Sequence, residues 1–132
     1  CKDCLLWNHE SNPFHTIEPW TGRYFKKTSL YDLGLVLHLG HSSTLPCLAP
    51  SKVQAFTVIN INCIHCTTVC FCRCSKAILD HYQLLHARLY AATLTAPQMA
   101  ATFRFLELFQ MLSFMSKVCL PLFGLCTPKL IE

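Results

Sequence analysis

Charge is scarce in this sequence. Aspartate, glutamate, lysine and arginine make up 14% of its 132 residues, against roughly 25% in an average soluble domain. A chain so poor in charge hides more of its surface than usual, or has lost a partner that covers it. Acidic residues are scarcest, seven in all, and none are grouped for catalysis. Two-metal phosphodiester chemistry, which needs clustered carboxylates, is therefore excluded. Also missing are H-E-x-x-H, a Walker loop, G-x-S-x-G and the H-x-E…P-C-x-x-C deaminase pattern. Cys66 follows His65 directly, but neighbours on a strand point to opposite faces, so they are badly placed as nucleophile and base. No enzyme is expected. There is no basic leader with a short apolar run behind it, and no repeat of fixed period. The sequence opens on Cys1 and reads as a fragment or a processed product.

Cysteine and histidine are what is abundant: ten and seven residues. The stretch IHCTTVCFCRC, 64–74, holds four of the cysteines and one histidine. C-x-C pairs bridge each other poorly, because disulfide geometry is restrictive. They serve well as neighbouring thiolates on a metal, and histidine supplies the nitrogen that zinc accepts beside sulfur. Zinc ligation is favoured over a disulfide framework. The net charge of +4 permits a nucleic-acid partner without arguing for one.

Residues 1–22 read as loop-rich. The run LGLVLHL, 33–39, reads as a strand. Residues 56–72 read as a β-hairpin turning at Asn60–Cys63, rich in β-branched and aromatic side chains. If 64–74 is extended, Cys66, Cys70, Cys72 and Cys74 share one face. Residues 76–94 suggest a helix and then a strand. Thr95-Ala96-Pro97-Gln98 fits a helix start, with Thr95 as N-cap, and predicts a long helix over 97–118. Arg104, Glu107, Gln110, Ser113 and Lys117 form one narrow polar stripe on it. The rest of its circumference is apolar, as in a helix buried on several sides, so further protein is expected beyond its C-terminal end. A membrane span is not expected, because a charge such as Arg104 or Glu107 costs roughly 2.5–3.5 kcal/mol at mid-bilayer. Residues 119–132 read as an irregular tail.

The phrases NPFHTIEPWTGRYFKKTSLYDLGLVLHLGH, FTVININCIHCTTVCFCRC and YQLLHARLYAATLTAPQMAATFRFLELFQMLSFMSKV occur in that order, with a lone cysteine between the first two. Together they resemble the second CxC-like cysteine cluster associated with fungal KDZ (Kyakuja-Dileera-Zisupton) transposases. The resemblance covers 1–118. It implies a zinc-chelating accessory module of a mobile-element protein, nuclear and DNA-associated. It also implies a metal-ligand set: Cys1, Cys4, His9 and His15 in a knuckle within 1–22; His41 and Cys47; His65; and the C-x-C of Cys72 and Cys74. Cys63, Cys66, Cys70, Cys119 and Cys126 are extra to the pattern. Asn60 and Cys63 stand where the family has aspartate and glycine. His86 and Leu89 are further departures. The RNase H-like catalytic region is expected to be absent, as in a truncated, drifting copy.

One or two zinc ions are expected. Cys1, Cys4, His9 and His15 have the spacing C-x2-C-x4-H-x5-H, which could close one site locally. A B-box-like cross-brace, or a frayed terminus with surface histidines, are the alternatives. Cys72 and Cys74 project from one strand face and can share an ion. Its other ligands are His41 and Cys47, which geometry favours slightly, or His65 if a bulge near Thr67 re-aims it. Cys66 and Cys70 read as small hydrophobes, and His38 as an ordinary strand residue. Arg23, Lys26 and Lys27 lie beside Trp20, Tyr24 and Phe25, a mixture that can hold phosphate and stack on bases or simply form a solvated basic edge.

The expected fold is a small zinc-stabilised α+β domain over 1–118. It has a three-stranded β portion within 29–74 and a long C-terminal helix. The expected role is recognition of DNA, of the missing transposase domain, or of another protein through helix 97–118. A B-box-like interaction module and an inactive relic are the rival readings.

Overall fold

Alternating apolar and polar residues over 54–70 build the centre of the fold. In the computed structural model, which describes residues 1–41 and 47–116, the chain runs α1 (Lys2–Asn8), β1 (Thr16–Ile17), β2 (Thr28–Ser29), β3 (Val36–His38), β4 (Gln54–Ile59) and β5 (Ile64–Cys70). It continues through α2 (Asp80–His86), β6 (Leu89–Ala91), β7 (Met99–Thr102) and α3 (Phe103–Ser116). β4 and β5 pair antiparallel, with Phe56 opposite Thr67 and Ile59 opposite Ile64. The turn between them is closed by the Asn60 N–H donating to the Cys63 carbonyl at 3.1 Å, as the sequence led us to expect.

The α+β class is as expected, but the sheet is larger. Its five strands run β3-β5-β4-β7-β6. β3 joins β5 in parallel, with His38 opposite Cys70. On the other side β7 runs parallel to β4, with Val58 opposite Ala100, and β6 closes the edge antiparallel to β7. Phe56, Val58, Val69, Ala91 and Ala100 form one buried cluster with Phe71, Leu39, Leu89 and Leu84 of α2. The helix-then-strand reading of 76–94 corresponds to α2 and β6.

The helix expected over 97–118 begins later. Met99–Thr102 is a strand, and the helix spans Phe103–Ser116 among the described residues. Ala100 and Ala101 are fully buried, between strands on both sides. Two ladders of hydrogen bonds and that burial outweigh alanine's helix preference, which is only a few tenths of a kcal/mol per residue. Ala96 has a φ of 44°, so Thr95-Ala96-Pro97 is a turn and not a cap. The N-cap is Thr102, whose Oγ1 accepts the Phe105 N–H at 3.2 Å and donates to Asn60 Oδ1 at 2.9 Å. Residues 117–118 of the expected helix and the tail 119–132 lie outside the described residues.

The N-terminal stretch also differs from the loop-rich reading. Lys2–Asn8 is helical, so Cys1 and Cys4 lie on a helical turn and not on a knuckle loop. β1 and β2 then form a separate two-stranded hairpin.

Candidate metal centre

The parallel pairing of β3 with β5 carries the chain beyond β3 alongside the chain beyond β5. Leu39 still bonds across, its N–H donating to the Cys70 carbonyl at 2.9 Å. Gly40 follows at φ +86°, and a Cβ there would stand 2.6 Å from Cys72 Cβ and 2.8 Å from Gln83 Oε1. Only glycine combines that left-handed backbone with that approach. The next residue, His41, is thereby set against the C-x-C. Its Nε2 lies 3.0 Å from Cys72 Sγ and 3.4 Å from Cys74 Sγ.

Cys47 arrives from the other side. The segment after it runs antiparallel to 71–73: the Arg73 N–H donates to the Ala49 carbonyl at 2.8 Å, and the Ser51 N–H to the Phe71 carbonyl at 2.8 Å. Pro50 forms a β-bridge with Cys72. Cys47 Sγ comes to 3.6 Å from Cys74 Sγ. The donor atoms of His41, Cys47, Cys72 and Cys74 all lie within 4.8 Å of one another. Zinc ligands at about 2.3 Å for sulfur and 2.0 Å for nitrogen stand roughly 3.5–3.8 Å apart in a tetrahedron. The four side chains fit a single ion with small adjustments.

Gln83, which the sequence reading passed over, fastens the centre to α2. It is buried. Its Oε1 accepts the Cys72 N–H at 2.8 Å, and its Nε2 donates to the Cys72 carbonyl at 3.1 Å and the Ile78 carbonyl at 2.8 Å. Arg73 and Asp80 pair through both carboxylate oxygens, closing the 74–79 loop against the start of α2. The Cys74 N–H points at Cys72 Sγ, 3.4 Å away. That hydrogen bond lowers the Cys72 thiol's pKa, but burial and the sulfurs of Cys74 and Cys47 outweigh it and push it up to about 11. Cys74 goes the other way. Hydrogen bonds from His41, from Cys72 and from the Ala49 backbone bring it down to about 6. One sulfur is thus charged near neutrality, and a cation is what would draw the others into the charged form. A cavity of ≈ 440 Å³, lined in part by His38, Lys76 and His86, opens beside His41, Cys72 and Cys74.

The other candidate ligands stand elsewhere. His65 lies at the turn end of β5, roughly 20 Å along the strand from Cys72. Its Nε2 is 3.0 Å from Asn62 Oδ1 and 3.4 Å from Cys63 Sγ, and burial lowers its pKa. Cys1 and Cys4 are exposed. His9 Nδ1 donates to the Leu5 carbonyl at 2.9 Å, and the His9 and His15 rings meet edge-on at 5.4 Å. Among the described residues, only His41, Cys47, Cys72 and Cys74 come together as three or more such ligands. Cys66 is exposed, while Cys70 is buried and donates its thiol to the Ser51 carbonyl at 3.2 Å, behaving as a small core residue. All eight described cysteines are free thiols.

Arg23, Lys26 and Lys27 lie on the hairpin joining β1 to β2, all exposed. α3 presents Met111, Phe114 and Met115 to solvent at 64%, 85% and 81% exposure, the apolar face expected of it. Among the described residues no helix is long and apolar enough to cross a membrane.

The model of one family, described as a CxC2-like cysteine cluster associated with KDZ transposases, matches residues 30–124. No curated protein and no solved structure matches the chain.

Proposed function

Because this chain belongs to the CxC2-like cysteine clusters associated with KDZ transposases, we propose that it is a zinc-stabilised accessory module of a fungal transposase, one that recognises DNA and leaves catalysis to another domain. The observation that carries the metal reading is the meeting of His41, Cys47, Cys72 and Cys74. Three thiolates and one imidazole are a donor set that zinc favours, and a site with four protein ligands is closed, as structural zinc sites are. Bound there, the ion supplies folding energy, of apparent size about 10–16 kcal/mol in zinc-finger peptides. It ties the chain beyond β3 and the Cys47 segment to the chain beyond β5.

For DNA the support is the cationic hairpin and a positive net charge. Such a module would act in the nucleus. Fluorescence polarisation with a labelled duplex across a salt series tests this. With Arg23, Lys26 and Lys27 as the phosphate contacts, log Kobs should fall against log[salt] with a slope of about −2 to −3. Absence of binding at low salt, to the duplex and to its separated strands alike, would sink the DNA reading. The exposed Met111, Phe114 and Met115 favour a second reading, in which α3 docks onto another protein. That reading predicts a partner lost on changing Met111 and Phe114 to serine, with DNA binding unaltered.

A further inference from the structure

The hairpin tip carries an arrangement that phosphate binding alone does not require. Its flanks pair as Thr16 with Ser29 and Ile17 with Thr28. The tip then closes on itself. Trp20 and Phe25 form a β-bridge. The Thr21 N–H donates to the Tyr24 carbonyl at 3.0 Å, and the Lys26 N–H to the Pro19 carbonyl at 3.1 Å. Thr21 Oγ1 donates to the Tyr24 carbonyl at 2.9 Å and accepts the Tyr24 N–H at 3.3 Å. Gly22, at φ +96°, supplies the one left-handed residue in the turn.

Three large aromatic side chains stand on that frame in the open. Trp20, Tyr24 and Phe25 are 58%, 60% and 65% exposed. Aromatic rings of this size ordinarily bury most of their surface, so folding of the described residues does not account for them. Trp20 and Phe25 brace each other, with ring centroids 5.1 Å apart and planes at 60°. Arg23, Lys26 and Lys27 interleave with the rings. Among the described residues none of the three has an ion pair, the one salt bridge being Arg73 with Asp80. Of the carboxylates close by in sequence, Asp32 accepts from the Ser29 hydroxyl at 2.7 Å, and Glu18 is exposed.

A ligand for this surface must offer flat apolar faces with negative charge at short intervals. In duplex DNA the base faces are stacked inside and out of reach, and only phosphates are presented. Unpaired nucleotides offer both, and every base has a face to stack, so recognition of this kind tolerates sequence. Building on the DNA reading above, we propose that the tip formed by Trp20, Tyr24 and Phe25 with Arg23, Lys26 and Lys27 is a stacking platform for unpaired DNA bases, so that the module binds single-stranded or frayed DNA in preference to duplex.

The test uses the zinc-loaded full chain, with labelled oligo(dT) and a duplex of equal length. Oligo(dT) should bind at least about tenfold more tightly than duplex. Trp20→Ala with Phe25→Ala should weaken oligo(dT) binding by about tenfold or more, as loss of stacking does, and change duplex binding little. In a Trp7→Phe background, oligo(dT) should quench Trp20 emission. Zinc content and melting temperature of the variant confirm that the rest of the fold is intact. Equal affinity for the two DNAs, or an unaltered oligo(dT) affinity in the double variant, overturns the platform while duplex binding keeps the DNA reading. Absence of binding to either DNA overturns both, and leaves the rings to a protein partner.

Discussion

At the scale of single residues, the centre depends on side chains that hold the ligands as much as on the ligands. The C-x-C was legible, since alternate cysteines on an extended chain share a face. His41 and Cys47 were named with it, and the structure brings all four together. Gln83 was not legible. A glutamine beside leucines in a short helix has no pattern that marks it as buried, and its partners are backbone atoms eleven and five residues away. Gln83→Leu keeps the volume and removes the partner of the Cys72 N–H and of the Ile78 carbonyl, costing about 1–3 kcal/mol for each buried group left unpaired. Urea unfolding should show that loss. Competition against a zinc chelator should show metal affinity lower by about 10–100-fold, as when a partner that orients ligands is removed. Unchanged affinity would mean that Cys72 is positioned without it. The two thiols of the C-x-C also differ in a readable way. The thiolate is the form that reacts, so a thiol whose pKa is lowered reacts at lower pH. In chelator-treated protein, iodoacetamide should label Cys74 along a curve centred near pH 6 and leave Cys72 largely unlabelled until near pH 11. Mass spectrometry of peptides resolves the two. Equal labelling of both, centred near an ordinary cysteine pKa, would show that the pocket does not exist without metal.

At the scale of elements, hydrophobic alternation identified the β4–β5 hairpin and the strand before it, because those patterns are local. β7 was missed for the opposite reason. Thr95-Ala96-Pro97-Gln98 has the composition of a helix start, and alanine at 100 and 101 agrees with it. What makes Met99–Thr102 a strand is backbone pairing with β4 on one side and β6 on the other, with Ala100 and Ala101 fully buried, and that is information held elsewhere in the chain. Three substitutions separate the alternatives. Ala100→Leu would overfill the buried face of β7 and cost about 1–3 kcal/mol, whereas on an exposed helix leucine would be neutral. Thr102→Ala should cost about 1 kcal/mol by removing the N-cap of α3, while Thr95→Ala should cost little. Denaturant midpoints measure all three, and a larger loss at Thr95 than at Thr102 would contradict the boundary found here.

At the scale of the whole molecule, the described residues form a five-stranded sheet and a separate two-stranded hairpin, with one metal-ligand cluster among them beyond the ends of β3 and β5. The succession from β3 through the β4–β5 hairpin to α2 and β6 could be read along the chain. The parallel pairings of β3 with β5 and of β4 with β7 could not, because they join segments about 30–40 residues apart whose register is set only on packing. The first of those pairings brings position 41 to positions 72 and 74. The sheet has its own buried cluster, so chelation should lower the melting temperature strongly without abolishing the β-sheet signal in circular dichroism at low temperature. The central claim is that His41, Cys47, Cys72 and Cys74 hold one ion between them. Native mass spectrometry of the zinc-loaded chain and of a Cys72→Ser, Cys74→Ser variant tests it most directly. The intact chain should carry one zinc that a chelator removes, or two if Cys1, Cys4, His9 and His15 take up another, and the variant should carry one fewer. A variant that keeps the same number of ions as the intact chain, or an intact chain that carries none, would contradict the account.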